Sequence, residues 1–132
     1  MATINLSEDS FEQKIDEGIV FVDWWAPWCG PCKMFAPVFE KASDKHGDVT
    51  FAKVNTEDEP QLAGAFGIRA IPTLMVFREG VLVFEQPGLL PGSALDQLVT
   101  QVKALDMEKV RAEMAEREAE DAAATAAMGE ED

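Results

Sequence analysis

Two cysteines, Cys29 and Cys32, are separated by two residues, and the sequence contains no other cysteine. They follow an apolar segment, Ile19 to Trp25, that predicts a buried strand, and they precede a segment that predicts a helix. A cysteine in the first turn of a helix faces unpaired backbone N–H groups and the positive end of the helix dipole, which both favour the thiolate. The spacing therefore predicts a dithiol redox site in which Cys29 is the nucleophile and Cys32 is the resolving thiol.

The same spacing also occurs in metal sites, where a Cys-x-x-Cys pair supplies two of the ligands of a zinc ion or an iron–sulfur cluster. A second pair is missing here, and His46 is the one histidine, so a mononuclear tetrahedral site within one chain would lack ligands. A cluster shared by two chains is the alternative that this argument leaves open. We therefore predict redox chemistry at the two cysteines, with no metal and no bound cofactor.

Other side chains near the cysteines have types that thiol chemistry uses. Asp23 lies inside an apolar segment, so we predict that it is buried and exchanges a proton with Cys32; a structural polar contact is the alternative. Lys53, in the neighbouring predicted strand, is either part of this site or an ordinary surface cation. Trp28, beside the first cysteine, is predicted to present an exposed apolar face, whereas Trp25 is predicted to support the loop.

Composition and charge limit the class of protein. The chain has 132 residues, the length of one domain, and 47% of them are hydrophobic, so the core needs no disulfide framework. No segment approaches the ~20 consecutive apolar residues of a membrane helix. The N-terminus lacks the basic and apolar regions of a secretion signal, so we predict a cytoplasmic protein. The net charge of −14 argues against nucleic acid, because phosphate binding needs a basic surface.

The apolar pattern predicts strands that alternate with helices, followed by a hairpin and a last helix. The predicted strands are Thr3 to Asn5, Ile19 to Trp25, Val49 to Val54, Thr73 to Phe77 and Val81 to Glu85. The predicted helices are Glu8 to Glu17, Pro31 to His46, Asp58 to Phe66 and one that starts near Pro91. This order predicts a mixed sheet that is covered on both faces by helices.

Residues 106 to 132 differ in composition from the preceding chain. They carry ten acids and three bases, so a fifth of the chain holds half of the net charge. Alanine and glutamate favour helix, but almost no apolar side chain beyond Met114 is available to pack against a domain. We predict one domain over residues 1 to 105 and an acidic extension over 106 to 132. The last helix is predicted to extend partway into it, and the final dozen residues are predicted to be mobile and disordered.

These residues together resemble the thioredoxin family over residues 3 to about 105. The resemblance rests on three segments: Trp28-Cys29-Gly30-Pro31-Cys32-Lys33, Asp23-Trp24-Trp25-Ala26, and Ile71-Pro72-Thr73 at the position of the family's cis-proline turn. The family fold is of the α/β class. The resemblance therefore implies a five-stranded mixed sheet that is flanked by four helices.

The resemblance also implies an activity, the reduction of protein disulfides by dithiol–disulfide exchange. Its electrons would come from thioredoxin reductase, an NADPH-dependent flavoprotein, and the partners would be proteins with exposed disulfides. The proline before Cys32 favours a reductant, since oxidases and isomerases of this family usually carry histidine there. A donor dedicated to one target is an alternative, and a non-catalytic binding subunit or chaperone on the same fold is another. We predict a monomer.

The resemblance assigns roles to individual residues. It places Asp23 beneath Cys32 with Lys53 nearby, and it assigns redox tuning to the residues between the cysteines, Gly30 and Pro31. It puts four residues on the substrate-docking surface: Trp28, Ile71, Pro72 and Gly88. The loop around this glycine, Gln86 to Pro91, departs from the commonest sequence of the family.

Overall fold

The computed structural model describes the backbone of residues 2 to 130 and the side chains of residues 2 to 126. The sheet of this part of the chain has five strands: β1 (Thr3–Asn5), β2 (Ile19–Trp25), β3 (Thr50–Asn55), β4 (Thr73–Arg78) and β5 (Val81–Pro87). Their order across the sheet is β1-β3-β2-β4-β5. β1 and β2 are parallel to β3, whereas β4 is antiparallel to both β2 and β5. The predicted five-stranded mixed sheet is confirmed.

The described residues form five helices: α1 (Glu8–Ile15), α2 (Gly30–Lys45), α3 (Pro60–Ala65), α4 (Gly92–Lys103) and α5 (Met107–Glu130). The first four are the helices that the family resemblance implied, and the C-terminal extension adds the fifth. α3 begins at Pro60 rather than at Asp58, because the fixed φ of proline suits the first residue of a helix. Within the described residues, no helix combines the length and the apolar character needed to cross a membrane.

Two hydrophobic cores lie on opposite faces of the sheet, because successive residues of a strand point in opposite directions. In β2, Val22 and Trp24 belong to the core beneath α1 and α3, whereas Phe21 belongs to the core beneath α2 and α4. Asp23 follows the same alternation and lies on the α2 side. The fold therefore directs this carboxyl group to the face of the sheet that carries the two cysteines.

The helix predicted to continue past Leu105 is divided in the structure, so that prediction is wrong. α4 ends at Lys103, and α5 begins at Met107. The Arg78 side chain stabilises the break: its Nη1 donates to the carbonyl oxygens of Val102 at 2.7 Å and Leu105 at 2.8 Å. The Val102 carbonyl oxygen lies in the last turn of α4, where it also accepts from the Leu105 N–H at 3.3 Å, and the Leu105 carbonyl oxygen lies in the connection to α5.

α5 begins with its own capping residue, Asp106, whose Oδ1 accepts from the N–H of the third helical residue at 3.3 Å. Its first residue is buried, and Arg111 forms an ion pair with Glu79 at 2.8 Å. Every side chain from residue 115 to residue 126 is exposed. The helix continues further than the sequence predicts. The mobility of the final dozen residues stays a prediction, and residues 131 and 132 lie outside the described part.

Candidate redox site

Cys29 lies at the junction between the β2 strand and the α2 helix. β2 ends at Trp25, and the Cys29 N–H donates to the Ala26 carbonyl oxygen at 3.2 Å, which closes a turn. Cys29 has an extended backbone, with φ −87° and ψ 113°, and it is the N-cap residue of α2. Its sulfur therefore lies beside the first N–H groups of the helix, which have no partner within the helix.

The two cysteines form a disulfide, and their Cα atoms are 5.2 Å apart. The Cys32 N–H donates to Cys29 Sγ at 3.2 Å. Cys32 is the third residue of α2, so this sulfur has the position in which serine and aspartate oxygens cap helices. A hydrogen-bond donor and a helix dipole directed at Sγ both stabilise negative charge on it. Both cysteines are buried, so this geometry, rather than exposure, distinguishes their roles.

The two residues between the cysteines, Gly30 and Pro31, form the exposed start of α2. A Cβ atom on Gly30 would meet no atom within 4 Å, so packing within the described chain does not require glycine there. Pro31 has no N–H, and the donor that reaches the sulfur is therefore the N–H of Cys32. The predicted effect of these two residues on the redox potential stays a prediction.

The Ile71-Pro72 segment lies against the disulfide. Its peptide bond is cis, as predicted, and the Ile71 carbonyl oxygen is 3.7 Å from Cys29 Sγ. The Gly88 N–H donates to the Pro72 carbonyl oxygen at 2.8 Å, and Gly88 has a φ of +94°, which strains any residue with a side chain. Two separate loops are therefore joined beside the disulfide. They contain three of the four residues that the resemblance assigns to the docking surface.

Large apolar side chains are exposed in the segments around the disulfide. Trp28 is 66% exposed and Trp25 is only partly exposed, in agreement with the sequence. Met34 in α2 is 67% exposed, and Leu89, which follows Gly88, is 47% exposed. Sequence reasoning does not single out Met34 or Leu89. The signal that could identify them is their position in the sequence: Met34 comes two residues after the second cysteine, and Leu89 comes one residue after the docking glycine.

Asp23 is fully buried in β2, as predicted. Neither of its carboxyl oxygens has a hydrogen-bond partner among the described residues. Loss of hydration raises the pKa of Asp23 from 3.8 to about 7, although the positive charge of Lys53 acts in the opposite direction. The carboxyl group therefore gains and loses its proton near neutral pH.

Lys53 lies directly across from Asp23 in the parallel register of β2 and β3. Its Nζ is 4.9 Å from the centroid of the Trp25 ring, which is a cation–π contact. The structure thus brings Lys53 and Asp23 together beside a tryptophan that adjoins the cysteine loop. Asp23 makes no hydrogen bond to Cys32 within the described residues, and its role in proton transfer stays a prediction.

In the part of the chain that the structure describes, no three His, Cys, Asp or Glu side chains are arranged to hold a metal ion. His46 is the C-cap residue of α2, at the opposite end of the helix from the cysteines. Its Nε2 is 2.7 Å from Asp96 Oδ1. Within one chain, His46 is therefore not a neighbour of the cysteine pair.

Comparisons with known proteins agree with this geometry. The family model described as Thioredoxin matches residues 2–104. The chain is 50% identical over 120 residues to "Putative thioredoxin 2" of Streptomyces coelicolor, a match that covers 90% of each protein. It is 40% identical over 102 residues to the thioredoxin of Bacillus subtilis, with 76% of this chain and 98% of that protein covered. Among solved structures, thioredoxin Mala s 13 of Malassezia sympodialis matches with a TM-score of 0.69 and 42% identity, over 76% of this chain and 93% of that chain.

Proposed function

Because the chain belongs to the thioredoxin family, it is a protein-disulfide oxidoreductase, and we propose that Cys29 is its nucleophile and Cys32 its resolving thiol. The Cys29 thiolate attacks one sulfur of a substrate disulfide and displaces the other sulfur as a thiolate. The Cys32 thiolate then attacks Cys29 Sγ, which forms the intramolecular disulfide and releases the second substrate sulfur. Two electrons pass to the substrate. The observation that carries this order is the Cys32 N–H that donates to Cys29 Sγ at 3.2 Å.

Asp23 is proposed to accept the proton of Cys32. A thiol must lose its proton before it attacks the mixed disulfide, and a carboxyl group with a pKa of about 7 can accept and return that proton at neutral pH. Asp23 makes no hydrogen bond to the Cys32 sulfur among the described residues, so we propose that one water molecule carries the proton between the two groups. Lys53 acts through its charge, which keeps the pKa of Asp23 from rising further.

The proposed docking surface consists of four residues around the disulfide: Trp28, Ile71 and Gly88, which are at least partly exposed, and Pro72, whose side chain is buried. Trp28 offers a largely exposed ring beside the nucleophile. Gly88 is exposed and has no side chain, so a substrate backbone can approach the loops closely. A polypeptide is the ligand that can cover these groups together while its disulfide reaches Cys29.

The family implies protein substrates that carry disulfides and a reductase that restores the dithiol. We infer that the reductase is an NADPH-dependent flavoprotein, thioredoxin reductase, and that the protein acts as a monomer in the cytoplasm. Both cysteines belong to the redox site and none forms a structural framework, as is usual in a reducing compartment. NADPH oxidation coupled to disulfide reduction tests the reductase, and sedimentation at micromolar concentration tests the oligomeric state. No coupling, or a dimer, would contradict the respective inference.

Trapping of mixed disulfides tests the roles of the cysteines. Cys32→Ser should accumulate a covalent complex with a disulfide-containing protein, because the resolving thiol is absent. Cys29→Ser is the matched control and should trap far less. Equal trapping by the two variants would contradict the assignment. A variant with serine at both positions separates the classes of function, since a non-catalytic binding subunit would keep its function and a reductase would lose it.

A further inference from the structure

β5 is a free edge of the sheet, because the strand order leaves it paired with β4 on one side only. Among the described residues, no backbone hydrogen bond joins Val81 to Phe84 to a helix or a loop. A free edge offers unpaired N–H and C=O groups to any extended chain, and proteins protect such edges with charges, proline, bulges or a covering element. β5 therefore needs protection of one of these kinds.

The two halves of β5 differ in sequence. Residues Glu85 to Pro87 supply a charge, a polar side chain and a residue without an N–H, so this half is protected by its own composition. The other half, Val81 to Phe84, is apolar, uncharged and rich in residues that favour strands. A register shift between Val76 and Phe77 disturbs its pairing with β4 but adds no charge. Segments of this apolar type pair with identical segments of other chains, so this half needs a cover.

The start of α5 lies along the apolar half of β5. Leu82 and Val83 line a groove together with Val110 and Met114 of the helix. Leu82 pairs with Phe77 of the core beneath α1 and α3, whereas Val83 packs against the core beneath α2 and α4. Because side chains from both faces of the sheet line the same groove, α5 lies along the edge of the sheet and not over one face.

Two contacts hold the start of α5 in this position. Met107 is buried, and Arg111 forms an ion pair with Glu79 at 2.8 Å in the turn before β5. Every described side chain from residue 115 onward is exposed, so residues 107 to 114 are the part of α5 that contacts the domain. The whole helix lies beyond residues 2–104, which the family model matches. α5 is therefore an addition to the family fold, and its contact with β5 needs an explanation of its own.

We propose that the start of α5 covers the apolar half of β5 and prevents a second copy of this chain from pairing its own β5 with it. Two identical strands pair antiparallel about a twofold axis, so Val81 to Phe84 of each copy would form both halves of the interface. A pairing strand lies about 4.8 Å from its neighbour, and its side chains would meet Val110 and Met114. The edge is thus blocked although Leu82 stays 42% exposed.

The surface that α5 covers is a concealed self-association site, and the partner that it fits is a second copy of the chain. This inference gives a structural reason for the monomer inferred above. It does not depend on the redox chemistry, because neither α5 nor the apolar half of β5 contributes a residue to the redox site or the docking surface.

Substitutions in the full chain test this proposal. The double variant Val110→Asp, Met114→Asp places two carboxylates against Leu82 and Val83, and it should release α5 from the edge because burial of an unpaired charge is costly. Sedimentation at concentrations up to the submillimolar range should give the mass of one chain for the parent and of two chains for the double variant. Addition of Leu82→Lys to the double variant should restore the monomer, since lysine on an edge strand opposes pairing.

The matched control is Ala112→Asp, Ala119→Asp, which adds the same charge at exposed positions of α5 and should stay monomeric. A dimeric parent or a monomeric Val110→Asp, Met114→Asp variant would overturn the proposal. A dimer that persists with Leu82→Lys, or that also forms in the control, would overturn it as well. All variants should reduce disulfides at the rate of the parent, so failure of the proposed redox function would appear as lost disulfide reduction and not as a change in mass.

Discussion

The buried Asp23 should lower the stability of the folded protein at neutral pH. Its pKa is about 7 in the folded chain against an ordinary value of 3.8, which we assign to the unfolded chain. Between these two values the unfolded chain has released the proton while the folded chain still holds it, so stability falls as the pH rises. Above the folded pKa the full penalty is present, and below 3.8 it is absent.

Replacement of this residue, Asp23→Ala, makes the penalty measurable. The difference between 3.8 and about 7 corresponds to about 4 kcal/mol, at ~1.4 kcal/mol per pKa unit. Loss of the buried side chain leaves a small cavity, which costs about 1 kcal/mol at any pH. At pH 8 the variant should therefore be more stable than the parent by about 3 kcal/mol. At pH 4, where the unfolded carboxyl group is already partly ionised, it should be less stable by about half a kcal/mol.

Urea unfolding tests this prediction. The oxidised parent and the oxidised Asp23→Ala protein are compared at several pH values between pH 4 and pH 8. Asp121→Ala is the matched control, because it removes an exposed carboxylate and changes the net charge equally. Its stability difference from the parent should stay nearly constant over the same range. A variant that is less stable than the parent at pH 8, or a difference that does not change with pH, would refute the argument.

The remaining predictions concern the charges around this site and the C-terminal region. Arg78→Met should destabilise the protein by about 2 kcal/mol in urea unfolding, because it removes charge-assisted hydrogen bonds to the end of α4. The control is Arg69→Met, which removes an exposed arginine with no hydrogen bond among the described residues and should change stability far less. Lys53→Met should raise the pKa of Asp23 further, because it removes the positive charge that lowers this pKa. Carbon-13 NMR titration of the carboxyl group measures the pKa, and a midpoint no higher than in the parent would contradict this prediction. Deletion of residues 116 to 132 should leave stability and the rate of disulfide reduction close to those of the full chain, since the described side chains of this segment are exposed. Loss of activity with one partner protein alone would instead identify the segment as a recognition element.

The local spacing of apolar residues predicts most of the fold, because apolar side chains occupy the positions that are buried. β2 is nearly continuous in apolar residues, so the sequence predicts both its position and the burial of Asp23 within it. The cysteine pair at the start of a helix likewise predicts that Cys29 faces the first N–H groups of α2, and the structure makes it the N-cap residue. The raised pKa of Asp23 cannot be predicted from the local sequence, because it depends on how completely the folded chain covers both faces of β2.

The features that the sequence does not predict depend on contacts between distant segments. The break between α4 and α5 depends on Arg78, which lies in β4 and reaches the carbonyl oxygen of Leu105. Asp106 is a local sign of the second helix, but a single aspartate occurs at many positions that begin no helix. The exposure of Leu89 is equally a tertiary property, since the neighbouring Leu90 is identical in type and packs against the core.

Competitive alkylation tests the central claim that the start of α2 activates Cys29. The fully reduced protein is mixed with limiting iodoacetamide near neutral pH, and mass spectrometry of its peptides gives the modified fraction of each cysteine. Because the Cys32 N–H and the helix dipole are directed at Cys29 Sγ, Cys29 should be modified well before Cys32. Equal rates, or faster modification of Cys32, would show that the start of α2 does not activate Cys29.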